Sequence, residues 1–210
     1  MFTGIVELTG RVQSSHGGNG ASLSVSADTA FCTSLKNGDS VSINGVCQTV
    51  TDARKDGFTF FATAATLELT NLKRLHTGDT VNLERAMPAT GRFDGHLVLG
   101  HIDGESTLVS LAKQADAWHA VFSLGTGWGR YLVTKGSVAV NGVSLTVYAV
   151  GETTFTIVLI PYTIKHTNLL DLSPGAYVNI EVDILAKYVE RLTGAAGRNR
   201  DAYLNELLEN

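Results

Sequence analysis

Two short stretches of the chain place a thiol or hydroxyl two residues before a threonine. Cys47 and Thr49 follow Asn44-Gly45, and Ser144 and Thr146 follow Asn141-Gly142. Side chains two apart on a strand point the same way. Each pair therefore shares one face, opposite Val46, Gln48 and Val50 or Val143, Leu145 and Val147. Such a pair can hydrogen-bond the edge of a polar planar ligand, or it can be ordinary strand surface. Unlike residues at matched positions point to two similar pockets with different jobs: Cys47 against Ser144, Ile5 against His101, and Ala86 against Asp183. Histidine is the usual proton-transfer side chain near neutral pH; the alternative for His101 is a structural or surface role. Asp183 stands between VNIEV and ILAKYVERL, where aspartate is a favoured helix N-cap, and a cap can still face a site. Lys135, before Gly136-Ser137, is either a solvated turn lysine or a ligand contact. His96 and His101 match no zinc spacing, so no metal is expected. A Ser144–His101–Asp183 triad is conceivable, but no nucleophile turn, Walker loop or dinucleotide motif accompanies it.

The elements that must carry these side chains come in two copies. Residues 40–50 read SVSINGVCQTV and residues 137–147 read SVAVNGVSLTV, identical at seven of eleven positions with an offset of 97. The offset continues through Thr66 and Thr163, Thr70-Asn71-Leu72 and Thr167-Asn168-Leu169, to Val81-Asn82-Leu83-Glu84 and Val178-Asn179-Ile180-Glu181. Reduced by one, it aligns Gly4-Ile5-Val6 with Gly100-His101-Ile102. This period is too long for a solenoid, whose repeats run about 20 to 50 residues. The chain is a tandem duplication, placed here as a first domain over 1–86, a connector over 87–95, a second domain over 96–183 and a tail over 184–210.

Short runs of Val, Thr, Ile and Phe between Gly, Asn and Asp read as strands and turns. Asn-Gly within alternating apolar residues marks a hairpin in each half. Each half therefore predicts a six-stranded Greek-key β-barrel, because closure removes exposed sheet edges. The fold class is all-β, with one short helix per half around 63–74 and 163–170. In the tail, Ile184, Leu185, Tyr188 and Leu192 share a helical face. Gly194 and Gly197 then break the helix, and AYLNELLEN predicts a second one. An apolar-faced helix hanging off a barrel pair predicts oligomerisation.

Composition narrows the classes. Only 17% of the 210 residues are charged and 44% are hydrophobic, which excludes a disordered charged tail. A net charge of −4 with no basic block argues against nucleic acid. No apolar run approaches the ~20 residues that span a bilayer, so no membrane partner is expected. MFTGIVELTG lacks the layout of a signal peptide. Cys32 and Cys47 make neither a disulfide scaffold nor a metal set. The chain reads as cytoplasmic and soluble.

MFTGIVE, NGVCQTV, GHLVLGHIDG, SVAVNGVSLTV, VNLERA and VNIEVDILAKYVERL, in this order, resemble the riboflavin synthase family (alpha-chain type) over about residues 1–193. The resemblance implies a homotrimer built through the C-terminal helix, and one 6,7-dimethyl-8-ribityllumazine in each barrel. One lumazine gives a four-carbon unit to the other, yielding riboflavin and 5-amino-6-(ribitylamino)uracil, without a cofactor. It implies that the reacting pair meets between the first barrel of one subunit and the second barrel of its neighbour, and that lumazine synthase is an associated partner.

By motif match, His101, Ser144, Cys47, Asp183 and Thr146 are the catalytic candidates. Ser144, Leu145 and Thr146 belong to the second pocket, with His101 nearby as proton-transfer group, and Asp183 orients a reacting group or water. Cys47, Gln48 and Thr49 line the first pocket. Thr3, Gly4, Ile5 and Val6, and Gly100, His101 and Ile102, resemble the family's backbone contacts to the pteridine. Phe61, Ala62, Thr63, Ala64, Ala65 and Thr66 close around ring and ribityl chain. Leu159, Ile160, Pro161, Tyr162, Thr163 and Ile164 do the same in the second barrel. Lys135 is a further contact, and Phe2 packs at the barrel mouth. Two departures stand out. Ala65 replaces a glutamate common in the family, which is expected to weaken ribityl binding in the first barrel, and Asp94-Gly95-His96 replaces Gly-Gly-His. The competing reading is a non-catalytic lumazine- or flavin-binding antenna protein of the same fold.

Overall fold

The computed structural model describes residues 1–18 and 20–194; the helix expected over AYLNELLEN lies outside the described residues. In the first half, β1 (Leu8–Gly18), β2 (Gly20–Ser26), β3 (Ser40–Ile43), β4 (Val46–Arg54), β5 (Gly57–Ala62) and β6 (Thr80–Arg85) close into a barrel. Its order is β1-β2-β5-β4-β3-β6, with β6 pairing back onto β1 and every neighbour antiparallel. The second half repeats this with β7 (Gly104–Gln114), β8 (Ala117–Ser123), β9 (Ser137–Val140), β10 (Val143–Val150), β11 (Thr154–Leu159) and β12 (Tyr177–Val182). The order is again β7-β8-β11-β10-β9-β12, closed by β12 on β7. Alternation sets the inward faces: Phe58, Phe60 and Ala62 of β5 are buried, and so are Phe155, Ile157 and Leu159 of β11.

Among the described residues, four short α-helices attach to the barrels. α1 (Thr29–Thr33), which the strand-rich pattern did not suggest, starts at Asp28, whose carboxylate accepts from Ala30 N at 2.8 Å. The single helices expected around 63–74 and 163–170 are each cut in two. α2 (Ala64–Leu69) gives way to a 3-10 turn over 71–74, and α3 (Pro161–His166) to one over 168–171. The breaks fall at Thr70 and Thr167, which are extended and cap the turns that follow. α4 (Ile184–Thr193) begins at Asp183, whose carboxylate accepts from Leu185 N at 3.0 Å, and ends at Gly194 in the left-handed region.

The broken helices serve the seam between barrels. The turns Asn44-Gly45 and Asn141-Gly142 have positive φ throughout, as type I′ hairpins require, and meet back to back. A Cβ on Gly45 would lie 2.7 Å from Gly142 N, so a side chain is excluded there. Six buried asparagines surround the turns with reciprocal bonds. Asn71 N donates to Asn179 Oδ1 at 2.7 Å and Asn168 N to Asn82 Oδ1 at 2.8 Å. Asn82 Nδ2 donates to Asn141 O at 2.9 Å and Asn179 Nδ2 to Asn44 O at 2.8 Å. These four bonds form two pairs related by exchange of the halves, as in a two-fold interface; Asn179 Nδ2 also donates to Asn71 Oδ1 at 2.9 Å, where the equivalent Asn168 Oδ1 has no partner among the described residues.

Candidate functional site

Along this seam, each half sends its leading segment onto the other half. Phe2 and Val98 pair antiparallel, with Phe2 N donating to Val98 O at 2.7 Å and Val98 N to Phe2 O at 3.2 Å. Residues 3–6 then reach the second barrel, where Ser144 N donates to Gly4 O at 2.7 Å and Val6 packs on that barrel's core. Residues 99–102 reach the first barrel, where Cys47 N donates to Gly100 O at 3.0 Å and Ile102 joins the core. Two buried carboxylates hold the other edges. Glu84 accepts from Thr3 N, Thr3 Oγ1 and Gly4 N at 2.7, 2.8 and 3.0 Å. Glu181 accepts from Leu99 N and Gly100 N at 2.7 and 2.9 Å. Burial raises the pKa of both against the effect of those bonds, and that of Glu181 is pushed up to about 7.

The first pocket is a hollow of about 300 Å³. Val46, Cys47 and Gln48 of β4 form one wall, Ala65, Thr66 and Leu69 of α2 another, and Gly100, His101 and Ile102 of the crossing segment the third. The imidazole of His101 sits exposed on its rim, across from the half-buried thiol of Cys47. Thr66 Oγ1 lies 3.0 Å from Thr63 Oγ1, a hydroxyl pair at the start of α2. Thiol, imidazole and hydroxyls around a hollow of this size suit a planar polar ligand.

The matching place on the second barrel has a different centre. Ser144 Oγ lies 2.7 Å from Nδ1 of His96, a buried ring whose Nε2 is also buried and has no partner among the described residues. Burial lowers the pKa of His96, while the charge of Asp183 pulls the other way. A neutral imidazole bonded to a hydroxyl can accept a proton from it or pass one on. A larger hollow of about 580 Å³ lies elsewhere, beside the connector. Its charged groups are already engaged: Arg85 with Glu7, Arg92 with Asp94, Glu84 with the crossing segment.

Residues 3–86 and 99–183 each match the lumazine binding domain family. The riboflavin synthase of Bacillus subtilis (strain 168) is 40% identical over 201 residues, covering 95% of this chain and 93% of its own. That of Mycobacterium tuberculosis (strain ATCC 25618 / H37Rv) is 41% identical over 202 residues, covering 94% and 100%. This chain belongs to the riboflavin synthase family. Among solved structures, LumP complexed with riboflavin superposes with a TM-score of 0.81 at 23% identity, over 87% of this chain and 99% of LumP. LumP complexed with 6,7-dimethyl-8-(1'-D-ribityl) lumazine gives 0.79 at the same identity and coverage. At that identity the likeness speaks to the fold alone.

Against this membership of the riboflavin synthase family, the structure sorts the expected site residues. Cys47, Gln48, Ala65, Thr66, Gly100 and Ile102 come together in one hollow. His101 joins them, not Ser144: the crossing carries it to the first barrel, so Ser144–His101–Asp183 is not brought together. Thr49 and Thr146 are exposed on the faces they share with Cys47 and Ser144. Phe61, Thr63 and Ala64 are exposed around α2 while Ala62 is in the core, and Ile160, Pro161 and Tyr162 are exposed around α3 while Leu159 is in the core. Thr163 and Ile164 are half-buried and Leu145 is buried. Ile5 is exposed. Lys135 is an exposed turn residue with φ +69°, its N donating to Val147 O at 2.8 Å. Phe2 is not at a barrel mouth. It is fully buried in the seam with Val98 and Ala139, because an apolar ring is what can fill the gap between two barrels. His96, read only as an unsuitable metal ligand, is the ring that meets Ser144. Glu84 and Glu181 were seen only as repeat matches; an identical carboxylate inside two apolar strands is the signal that marks them.

Proposed function

We infer that the protein is a riboflavin synthase that binds one 6,7-dimethyl-8-ribityllumazine per barrel and joins the two. The observation that carries the reading is the hollow at Cys47 and His101 on the first barrel together with the equivalent place on the second, where Ser144 meets His96, in a chain that belongs to this family. Two molecules of one substrate become riboflavin and 5-amino-6-(ribitylamino)uracil, so atoms balance without a further reactant. The two molecules need similar pockets and opposite roles. Holding them together converts an encounter into a step within one complex. Proton transfer at the C7 methyl is the remaining task, for which His101 serves the first pocket and Ser144 with His96 the second. Cys47 and Thr49, Thr146, Lys135 and the segments 61–66 and 159–164 hold ring and ribityl chain. Asp183 caps α4 and biases His96.

The reading extends to a homotrimer whose reacting pockets meet between subunits. It is supported by α4, which leaves Leu185, Tyr188, Val189 and Leu192 exposed on one face. Deleting 184–210 is expected to give monomers with little activity, read by light scattering and turnover; a fully active monomer would refute the inter-subunit site. Free thiols at Cys32 and Cys47 suit the reducing cytoplasm. Association with lumazine synthase is assigned on family membership and is tested by co-sedimentation. The deciding experiment mixes purified protein with 6,7-dimethyl-8-ribityllumazine and follows products by absorbance and chromatography. Riboflavin with an equal amount of the pyrimidine supports the synthase. Tight binding without product supports the antenna-type reading instead.

A further inference from the structure

Each crossing segment is clamped from two sides. Its amides face a buried glutamate on the last strand of its own barrel, and its glycine carbonyl faces the opposite barrel. Glu84 of β6 holds Thr3 and Gly4, whose far edge receives Ser144 N at 2.7 Å. Glu181 of β12 holds Leu99 and Gly100, whose far edge receives Cys47 N at 3.0 Å. There is no slack between the clamps. A Cβ on Gly4 would stand 2.6 Å from Ser144 Cβ, and one on Gly100 2.4 Å from Cys47 Cβ. Glu181 does not line the hollow around Cys47 and His101, although it fixes one of that hollow's walls.

We propose that the two glutamates are positioning residues that act crosswise. Glu181, on the second barrel, sets the pocket of the first, and Glu84, on the first barrel, sets the pocket of the second. The inference rests on reading these pockets as lumazine sites. A carboxylate that accepts amides on both oxygens fixes a segment through charge-assisted bonds. A glutamine there turns one oxygen into a donor aimed at a donor, and the segment must shift. The clamps are also unequal. Glu84 takes a third donor from the Thr3 hydroxyl, where the second copy has Leu99. The second-barrel pocket is the more firmly held.

The test uses the full chain with E181Q, E84Q and T3V. Amide hydrogen exchange is read at Cys47 and Ser144 without ligand, and protection of the Cys47 thiol from iodoacetamide is read during titration with 6,7-dimethyl-8-ribityllumazine. Buried Cys32 does not compete for the reagent. E181Q is expected to speed exchange at Cys47 but not Ser144, and to raise the lumazine needed for half-protection about tenfold, as for one lost charge-assisted bond. E84Q should speed exchange at Ser144 and leave Cys47 protection unchanged. T3V keeps the carboxylate and removes one donor, so it carries the second arm if E84Q does not fold; it should act at Ser144 alone. Should E84Q or T3V weaken Cys47 protection as much as E181Q does, or should all of them affect one amide alike, the crosswise assignment is overturned. If lumazine fails to protect wild-type Cys47, the ligand reading falls, while the exchange data still decide the clamp.

Discussion

The two barrels present equivalent strands and crossing segments at Cys47 and at Ser144, yet they obtain their imidazoles by different routes. In the first, His101 rides on the crossing segment and stands exposed at the rim beside Cys47. In the second, the crossing segment offers Ile5, and the imidazole is His96, buried and bonded to Ser144. His96 lies in the lead-in to the second crossing segment, directly after the connector. One barrel thus has a solvated imidazole and the other a dry one.

The comparison breaks first at the glycines. Gly100→Ala puts a methyl into Cys47 at a backbone angle that favours glycine, and Gly4→Ala does the same at Ser144. Each is expected to reduce turnover by 100-fold or more, since about 1 Å of misplacement can cost ~10². Gly78→Ala is the control: it has the same strained φ but open space, so it should cost only about 1 kcal/mol in a urea melt with normal turnover.

Next come the imidazoles. His101→Ala and Ser144→Ala should lower kcat more than they raise KM, each by about 10²-fold. His96→Ala should match Ser144→Ala, and the double variant should be little worse than either single one, because they act as a pair. Additive losses in His96 and Ser144 would separate them. If His101→Ala turns over normally, the rim imidazole is not the proton carrier.

The smallest effects are those of pH on folding. Glu181 is raised from its ordinary 4.5 to about 7. Its contribution is therefore fully present below about pH 4.5 and is lost as pH rises through 7, about 3 kcal/mol across that interval. Glu84 acts in the same direction. His96, lowered by burial, acts oppositely: its contribution is present above its unfolded pKa of about 6.5 and is lost as pH falls. Urea melts from pH 4.5 to 7.5 should show E181Q with a flatter loss towards neutral pH than wild type. An unchanged slope would mean that Glu181 is not perturbed.

Much of this was legible in the residues. The offset of 97 specified two like domains, the alternation around Asn-Gly specified which residues share a face, and Asp183 announced the start of α4. Hydroxyl pairs, barrels and apolar tail helix all follow from local spacing. The exchange of leading segments does not. A repeat shows which residues are equivalent but not which barrel they touch, and His101 is equivalent to Ile5 whether or not the segments cross. The Ser144–His96 bond joins residues 48 apart through the seam, a contact that no local pattern encodes. Thr70 and Thr167 were visible only as matched positions of the repeat. That they turn Asn71 and Asn168 into a shared polar interior depends on the twin half being present.

That polar interior has a consequence for how the molecule comes apart. A barrel that lost its twin would strip partners from three side chains, Asn44, Asn71 and Asn82 on one side or Asn141, Asn168 and Asn179 on the other. Each cross-seam bond exchanged for water costs about 0.5–1.5 kcal/mol, and together they are a large share of what a small domain has to spare. The connector keeps the twins at high effective concentration, so separation without unfolding gains little entropy. The chain should melt in one cooperative transition, both barrels together.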